Sequence, residues 1–253
     1  MNQHNASTTS RWRRKWFIVA VLAVTSLAGT SLVAWAIVLA DDGPQPVGST
    51  PTGVPLRGSS LQVTDTLPPP ARCHRVAVVG DSLTDNSEPW LVSGLAAAGF
   101  IALVDAQPSR RISAAASPPY SGVRAALALR AEWGDADCWV VALGSNDLIR
   151  GADDRATAGA LIDEMSAAVS PGARVWWMNV NYHHDSRTSF DFAAATATFN
   201  RALSERASSE PLFHIIDWYS LAEAHPEWFF DPVHVDRVGS IARAEQTVAA
   251  LPR

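Results

Sequence analysis

The sequence predicts an α/β protein, a flavodoxin-like three-layer α/β/α arrangement around a five-stranded parallel sheet, and two observations carry the prediction. From Ala71 onward, five short apolar runs alternate with five alanine- and leucine-rich stretches of helical spacing. Such alternation argues for a parallel sheet covered by helices on both faces. The second observation is where the reactive-looking residues fall. Several follow directly on the ends of apolar runs, the edge at which sheets of this kind open their functional crevice.

Taken in order, residues 1–15 form a basic tail with Arg11, Arg13, Arg14 and Lys15 and no acid. Residues 16–40, from Trp16 to Ala40, are 25 residues without a charge. At about 1.5 Å per residue they can cross a hydrocarbon core of about 30 Å with some tilt. The flanking bases place the N-terminus in the cytoplasm, so one N-terminal transmembrane helix, a signal anchor, is expected with the body extracytoplasmic. The competing reading is a secretory signal peptide cleaved after "AWA" or "VLA", but secretory apolar regions run only about 7 to 15 residues. Residues 41–70 hold seven of the 16 prolines without hydrophobic periodicity, which predicts a linker, extended where the prolines cluster.

The body, 71–253, is then one domain. Strands are predicted at 75–79 (RVAVV), 100–105 (FIALVD), 138–143 (CWVVAL), 174–180 (RVWWMNV) and 212–217 (LFHIID), from their length and β-branched or aromatic content. Helices are predicted near 88–98, 119–132, 155–169, 190–207 and 236–250. Beyond residue 40, 16 bases face 25 acids, and no basic patch interleaved with aromatics is present, so a nucleic-acid partner is not expected. No Walker loop, dinucleotide fingerprint or zinc-ligand spacing appears, so neither cofactor nor metal is expected. The adjacent His183 and His184 read as solvated loop residues, and His225 as packing near the site. Trp139, Trp176 and Trp177 read as core, and Trp90 as a residue bordering a cleft. Arg110 and Arg111 read as a solvated pair or partners of the acidic body.

Three segments concentrate the chemistry. The first strand runs into Gly80, suited to a tight turn, and then Asp81-Ser82-Leu83-Thr84, which brings Ser82 to the mouth of a helix where free N–H groups favour developing negative charge. The bland reading is a helix cap made by Asp81, Ser82 or Thr84. The third strand ends in Gly144-Ser145-Asn146-Asp147; with strand order 2-1-3-4-5, Asn146 would lie beside the end of the first strand, while a turn or cap is its ordinary role. Near the C-terminus, Asp231 and His234 are spaced so that a carboxylate can orient an imidazole where the segment turns helically. Serine, asparagine and an Asp–His pair at one sheet edge are the parts needed for nucleophilic acyl transfer.

"GDSLT" at 80–84, "GSND" at 144–147 and "DPVH" at 231–234 resemble, in order, blocks I, III and V of the SGNH hydrolases, the GDSL esterase/lipase superfamily. The resemblance implies Ser82 as nucleophile, His234 as general base and Asp231 as its orienter. It further implies an oxyanion hole made by the Asn146 side-chain amide, the Ser82 backbone N–H and a third backbone N–H from a glycine after the second strand. Here that region reads "VDAQPSRRI" without glycine; Ser109 occupies the position, with Arg110 as the alternative register. The expected activity is a serine esterase acting on short acyl esters, since no long apolar lid segment is seen. An acyltransferase to envelope sugars shares the first half-reaction, and a non-catalytic binding module is the reading from another class. Cys73 and Cys138 both fall at the opposite, N-terminal edge of strands one and three; as neighbours about 4.8 Å apart in an exported protein, they are expected to form a disulfide.

Overall fold

The computed structural model describes residues 72–149, 154–183 and 189–253. The expected membrane segment 16–40 and linker 41–70 lie outside the described residues. Among the described residues, no helix is long and apolar enough to cross a membrane.

The elements run β1 (Arg75–Gly80), α1 (Ser82–Ala97), β2 (Ile101–Ala106), α2 (Gly122–Trp133), β3 (Cys138–Ala142), α3 (Ser145–Leu148), α4 (Arg155–Ala168), β4 (Arg174–Met178), α5 (Phe192–Ser209), β5 (Phe213–Ile216), α6 (Trp218–Glu223), a 3₁₀ turn (Pro226–Trp228) and α7 (Arg237–Ala250). The five strands form one parallel sheet in the order β2-β1-β3-β4-β5. Period-two alternation divides each apolar run between two cores. Ala77, Val79, Trp139, Val141 and Trp177 face α2, α4 and α5, packing on Leu129, Ile162 and Phe199. Val76, Val78, Val140, Trp176 and Met178 face α1 and α7, packing on Leu91, Leu95, Ala244 and Val248. The central strands β1, β3 and β4 therefore read as unbroken apolar runs because both faces are dry.

Strand order reverses between β1 and β3, and the crevice opens past their C-terminal ends. At the other edge, Cys73 and Cys138 are bonded as a disulfide with Cα atoms 5.6 Å apart. Cys138 pairs in register with Val76, and the Cys73 N–H donates to Pro252 O at 3.1 Å, so the start and end of the described body meet there.

Aspartates and Ser121 cap the longer helices: Asp81, Ser121, Asp154, Asp191 and Asp236 each accept a first-turn N–H. Helix α1 starts at Ser82, six residues before the sequence-based expectation, because Asp81 caps it; Pro89 lies inside the helix rather than in its first turn. The short α3 and α6 had no periodicity long enough to be read. Gly80 is required by space rather than by a turn: its φ is not in the left-handed region, and a Cβ would meet Thr84 Oγ1 at 2.1 Å. Gly144 needs both freedoms, with φ at 133° and a Cβ that would meet Phe199 at 2.7 Å.

Candidate active site

Ser82 is the first residue of α1, and the Asp81 side chain that caps this helix accepts from Leu83 N at 3.0 Å. The cap is thus made by Asp81, which leaves the hydroxyl of the adjacent Ser82 free of that role. Ser82 Oγ lies 2.9 Å from His234 Nε2. His234 Nδ1 lies 2.7 Å from Asp231 Oδ2. With Nδ1–H donated to the carboxylate, Nε2 is the acceptor for the serine proton.

The segment holding Asp231 and His234 is not a helical turn, as the spacing had suggested. It is the tip of a hairpin joined by an antiparallel bridge between Phe229 and Val235. Asp231 Oδ1 closes the tip by accepting Val233 N at 2.8 Å and His234 N at 2.7 Å. One carboxylate oxygen therefore shapes the loop and the other orients the ring. Burial alone would raise the Asp231 pKa, but these backbone hydrogen bonds and the His234 ring hold it below its ordinary value.

Asn146, on α3, points its Nδ2 at Arg110 O (3.1 Å) and, more loosely, at Asp81 Oδ2 (3.4 Å). Asp147 beside it is buried, and both of its oxygens accept from Ile112 N at 3.1 Å, fastening α3 to the loop after β2. Burial, first, and the charge of Asp81 push the Asp147 pKa up to about 7, against the hydrogen bond from Ile112 and the charge of Arg111. A folded-state value above the ordinary 3.8 means the fold carries the cost of a buried anion above about pH 7 and is relieved of it as pH falls. Asp147→Asn, which can still accept from Ile112 N, is expected to gain on the order of 2 kcal/mol in stability relative to the unmodified chain between pH 5 and pH 8. Urea unfolding at the two pH values measures it.

Ser109 takes φ = 63°, the one non-glycine residue with positive φ among the described residues. The left-handed backbone is retained although glycine is missing. Of the two registers, Arg110 N already donates to Gln107 O at 3.2 Å, while Ser109 N has no partner within the described body. Ser109 is exposed and is not one of the residues that line the cleft. Ser109→Val is expected to lose about 1–2 kcal/mol in thermal or urea unfolding, because β-branching is poorly tolerated at positive φ, whereas Ser109→Gly stays within about 1 kcal/mol.

The loop is held by Arg110, which is buried rather than solvated. Its guanidinium pairs with Asp105 Oδ1 at 2.7 Å and donates to Gly80 O at 3.2 Å and Pro119 O at 3.2 Å. His183 is likewise not a solvated loop residue: its N–H donates to Pro232 O at 2.7 Å, and its ring meets Phe229 edge-on. His184 lies outside the described residues. Trp90 does not border the cleft but lies under Arg237, and His225 stacks on Trp228 away from it. Trp139, Trp176 and Trp177 are buried in the core, as expected.

Ser82, Asn146, Asp231 and His234 share a cleft of about 170 Å³ with Ile149, Tyr182 and Val233. Sites for drug-sized ligands run to roughly 300–1,000 Å³, so this one suits a small group. Tyr182, four residues beyond β4, was missed because its segment carries no motif, although it too follows a strand end. No cluster of three or more His, Cys, Asp or Glu side chains among the described residues could hold a metal ion.

Residues 78–240 match the model of the GDSL-like Lipase/Acylhydrolase family. Curated proteins give no match. Among solved structures, the fold is similar to the C-terminal catalytic domain of Streptococcus pneumoniae peptidoglycan O-acetyltransferase A with a methylsulfonyl adduct (TM-score 0.56, 18% identity, 71% of this chain and 93% of that one). It is also similar to a carbohydrate acetylesterase family member from Sinorhizobium meliloti (TM-score 0.52, 20% identity, 70% and 97% covered). A third likeness is to a lipolytic G-D-S-L family protein from Veillonella parvula (TM-score 0.53, 16% identity, 70% and 97% covered). At these identities the likeness is one of fold.

Proposed function

The chain belongs to the GDSL-like lipase/acylhydrolase family, the SGNH hydrolases, and from that premise we propose that it is a serine esterase that removes a small acyl group, such as acetyl, from an alcohol oxygen. The observation that carries this reading is the unbroken hydrogen-bond chain Ser82 Oγ, His234 Nε2, His234 Nδ1, Asp231 Oδ2, at 2.9 and 2.7 Å, opening into a small cleft beside Asn146.

In the proposed reaction, His234 Nε2 takes the Ser82 proton as Oγ attacks the ester carbonyl. Asp231 stabilises the imidazolium that forms. The oxyanion is met by the Ser82 N–H at the start of α1 and by Asn146, with Ser109 N–H as the third donor. Collapse breaks the ester C–O bond; the alcohol leaves with the proton from His234, and the acyl group stays on Ser82. Water, deprotonated by His234, then attacks the acyl-enzyme and releases the acid.

Transfer of the acyl group to a sugar hydroxyl instead of water is the second reading. It is favoured by the shared fold of the pneumococcal O-acetyltransferase domain and the Sinorhizobium acetylesterase, whose names place acetyl groups on carbohydrates. Residues 16–40 are proposed to anchor the body on the extracytoplasmic side of a membrane, or to direct its secretion if cleaved.

The test is to incubate the full chain with 4-nitrophenyl acetate, with and without oligosaccharide acceptors, and in parallel with a fluorophosphonate followed by peptide mass spectrometry. Hydrolysis with the label on Ser82 supports the esterase. Nitrophenol release that rises with acceptor, with acetylated sugar as product, moves the reading to transfer. No label and no turnover from a folded chain would leave the binding module.

A further inference from the structure

Arg110 is 2% exposed, and its guanidinium makes four contacts that reach the chain at three places. Nη1 donates to Gly80 O at 3.2 Å, at the end of β1, and to Asp105 O at 2.5 Å, near the end of β2. Nη2 pairs with Asp105 Oδ1 at 2.7 Å, and Nε donates to Pro119 O at 3.2 Å, on the chain returning towards α2. A buried guanidinium is tolerated where acceptors meet its planar fork, and the fixed shape of that fork makes it a brace between them.

The backbone of the same residue reaches Asn146. Arg110 N donates to Gln107 O at 3.2 Å and closes the turn Gln107-Pro108-Ser109-Arg110. Proline in the second position and a φ of 63° in the third are the pattern of a type II turn, whose third position favours glycine. Serine is strained there, so the surroundings must hold it. At the end of this turn, Arg110 O accepts from Asn146 Nδ2 at 3.1 Å, the firmer of that amide's two contacts; the other, to Asp81 Oδ2, is 3.4 Å. Both neighbours are acceptors, so the NH₂ end of the amide must face them. The Arg110 carbonyl therefore sets which way the amide points, and the loosely held second hydrogen is the one left for an oxyanion.

We propose that Arg110 is the positioning residue of the oxyanion site: its side chain ties the ends of β1 and β2 together, and its carbonyl, held by that brace, aims the Asn146 amide. It touches no substrate. All three proposed oxyanion donors depend on it, since Ser82 follows closely on Gly80, Ser109 precedes Arg110, and Asn146 is bonded to its carbonyl. The brace also holds from outside a turn that glycine would adopt without strain. The catalytic consequence rests on the esterase reading, whereas the aiming of Asn146 does not.

The experiment is a double-mutant cycle in the full chain: Arg110→Met, Asn146→Ala and both together, with Arg110→Lys beside them. Methionine donates nothing, and lysine keeps the charge next to Asp105 without the fork. On 4-nitrophenyl acetate, Arg110→Met is expected to lower kcat by about 30-fold with KM within about 3-fold, because a misaimed donor is felt mainly in the transition state. Arg110→Lys should lose about 10-fold, since charge alone does not set the geometry. In the Asn146→Ala background, Arg110→Met should cost only about 3-fold, a coupling of about ten. If Arg110→Met does not fold, Arg110→Lys takes its place in the cycle, with an expected loss of about 10-fold against about 2-fold. Equal losses in both backgrounds, or unchanged kcat in Arg110→Lys, would overturn the proposal and leave Arg110 a structural ion pair.

A second readout does not depend on turnover. The side-chain amide hydrogens of Asn146, followed by ¹H–¹⁵N NMR, should exchange with solvent at least about tenfold faster in the Arg110 variant than in the unmodified chain. The Asn200 amide, which donates to Val180 O at 2.8 Å, is the internal control and should keep its rate. Unchanged exchange at Asn146, or equal acceleration at Asn200, overturns the aiming. Absence of ester turnover in the unmodified chain would sink the esterase reading alone, and the exchange rates would still decide whether Arg110 holds Asn146.

Discussion

Ser82→Ala is expected to lower kcat for a short aryl ester by about 10⁴- to 10⁶-fold, with Tm almost unchanged. The size follows from what is lost. Without Oγ no acyl-enzyme can form, and His234 is left with no nucleophile to deprotonate except water held in a geometry made for the serine. What survives is oxyanion stabilisation and binding. The stability forecast follows from the contacts: the hydroxyl bonds only to the half-exposed His234 ring, at 2.9 Å, whereas the cap of α1 belongs to Asp81. Stopped-flow or end-point nitrophenol release, beside a thermal melt of both proteins, measures the pair of claims. A variant retaining more than about one part in a hundred of kcat would show that another group attacks the ester, and the assignment of Ser82 would fall.

Cys73→Ser together with Cys138→Ser is expected to cost about 4 kcal/mol of unfolding free energy under oxidising conditions while leaving kcat within about 2-fold. The cross-link spans 65 residues, enclosing β1, α1, β2 and α2, so its removal gives the unfolded chain much conformational freedom. Catalysis is spared because Cys138 opens β3 and Asn146 lies beyond its far end. Guanidinium unfolding with and without reductant measures the first claim, and ester hydrolysis the second. A loss below about 1 kcal/mol would mean that the unfolded chain retains contacts across this span.

The sheet was legible because its central strands β1, β3 and β4 are buried on both faces. Trp139, Val140 and Val141 form an uninterrupted apolar run, since alternate residues serve opposite cores. The helix ahead of the site was harder. Its first six residues, Ser82 to Ser87, are polar at five positions, and its start is fixed by the Asp81 cap rather than by periodicity. At the site, motif order placed Ser82, Asn146, Asp231 and His234 in one region because each follows a strand end or a hairpin that returns to it. The sequence could not show that Asp231 works through a closed hairpin tip, since a spacing of three fits a helical turn equally well. Nor could it show that Arg243 is buried, since that residue reads as an ordinary polar position of an amphipathic helix until α7 is packed on its neighbours. Ser109 lies between these cases: its neighbours named the position, and only the backbone showed that a serine takes the conformation a glycine would.

The hydrogen bond from Cys73 N to Pro252 O gives the described body a practical geometry. Its two ends are adjacent at the pole away from the cleft, so the unit can be spliced into a surface loop of a host protein, or rejoined head to tail and opened elsewhere, without a spanning linker. Beads, dyes or carrier proteins attached through either end would hang from the floor of the enzyme and leave its mouth unobstructed.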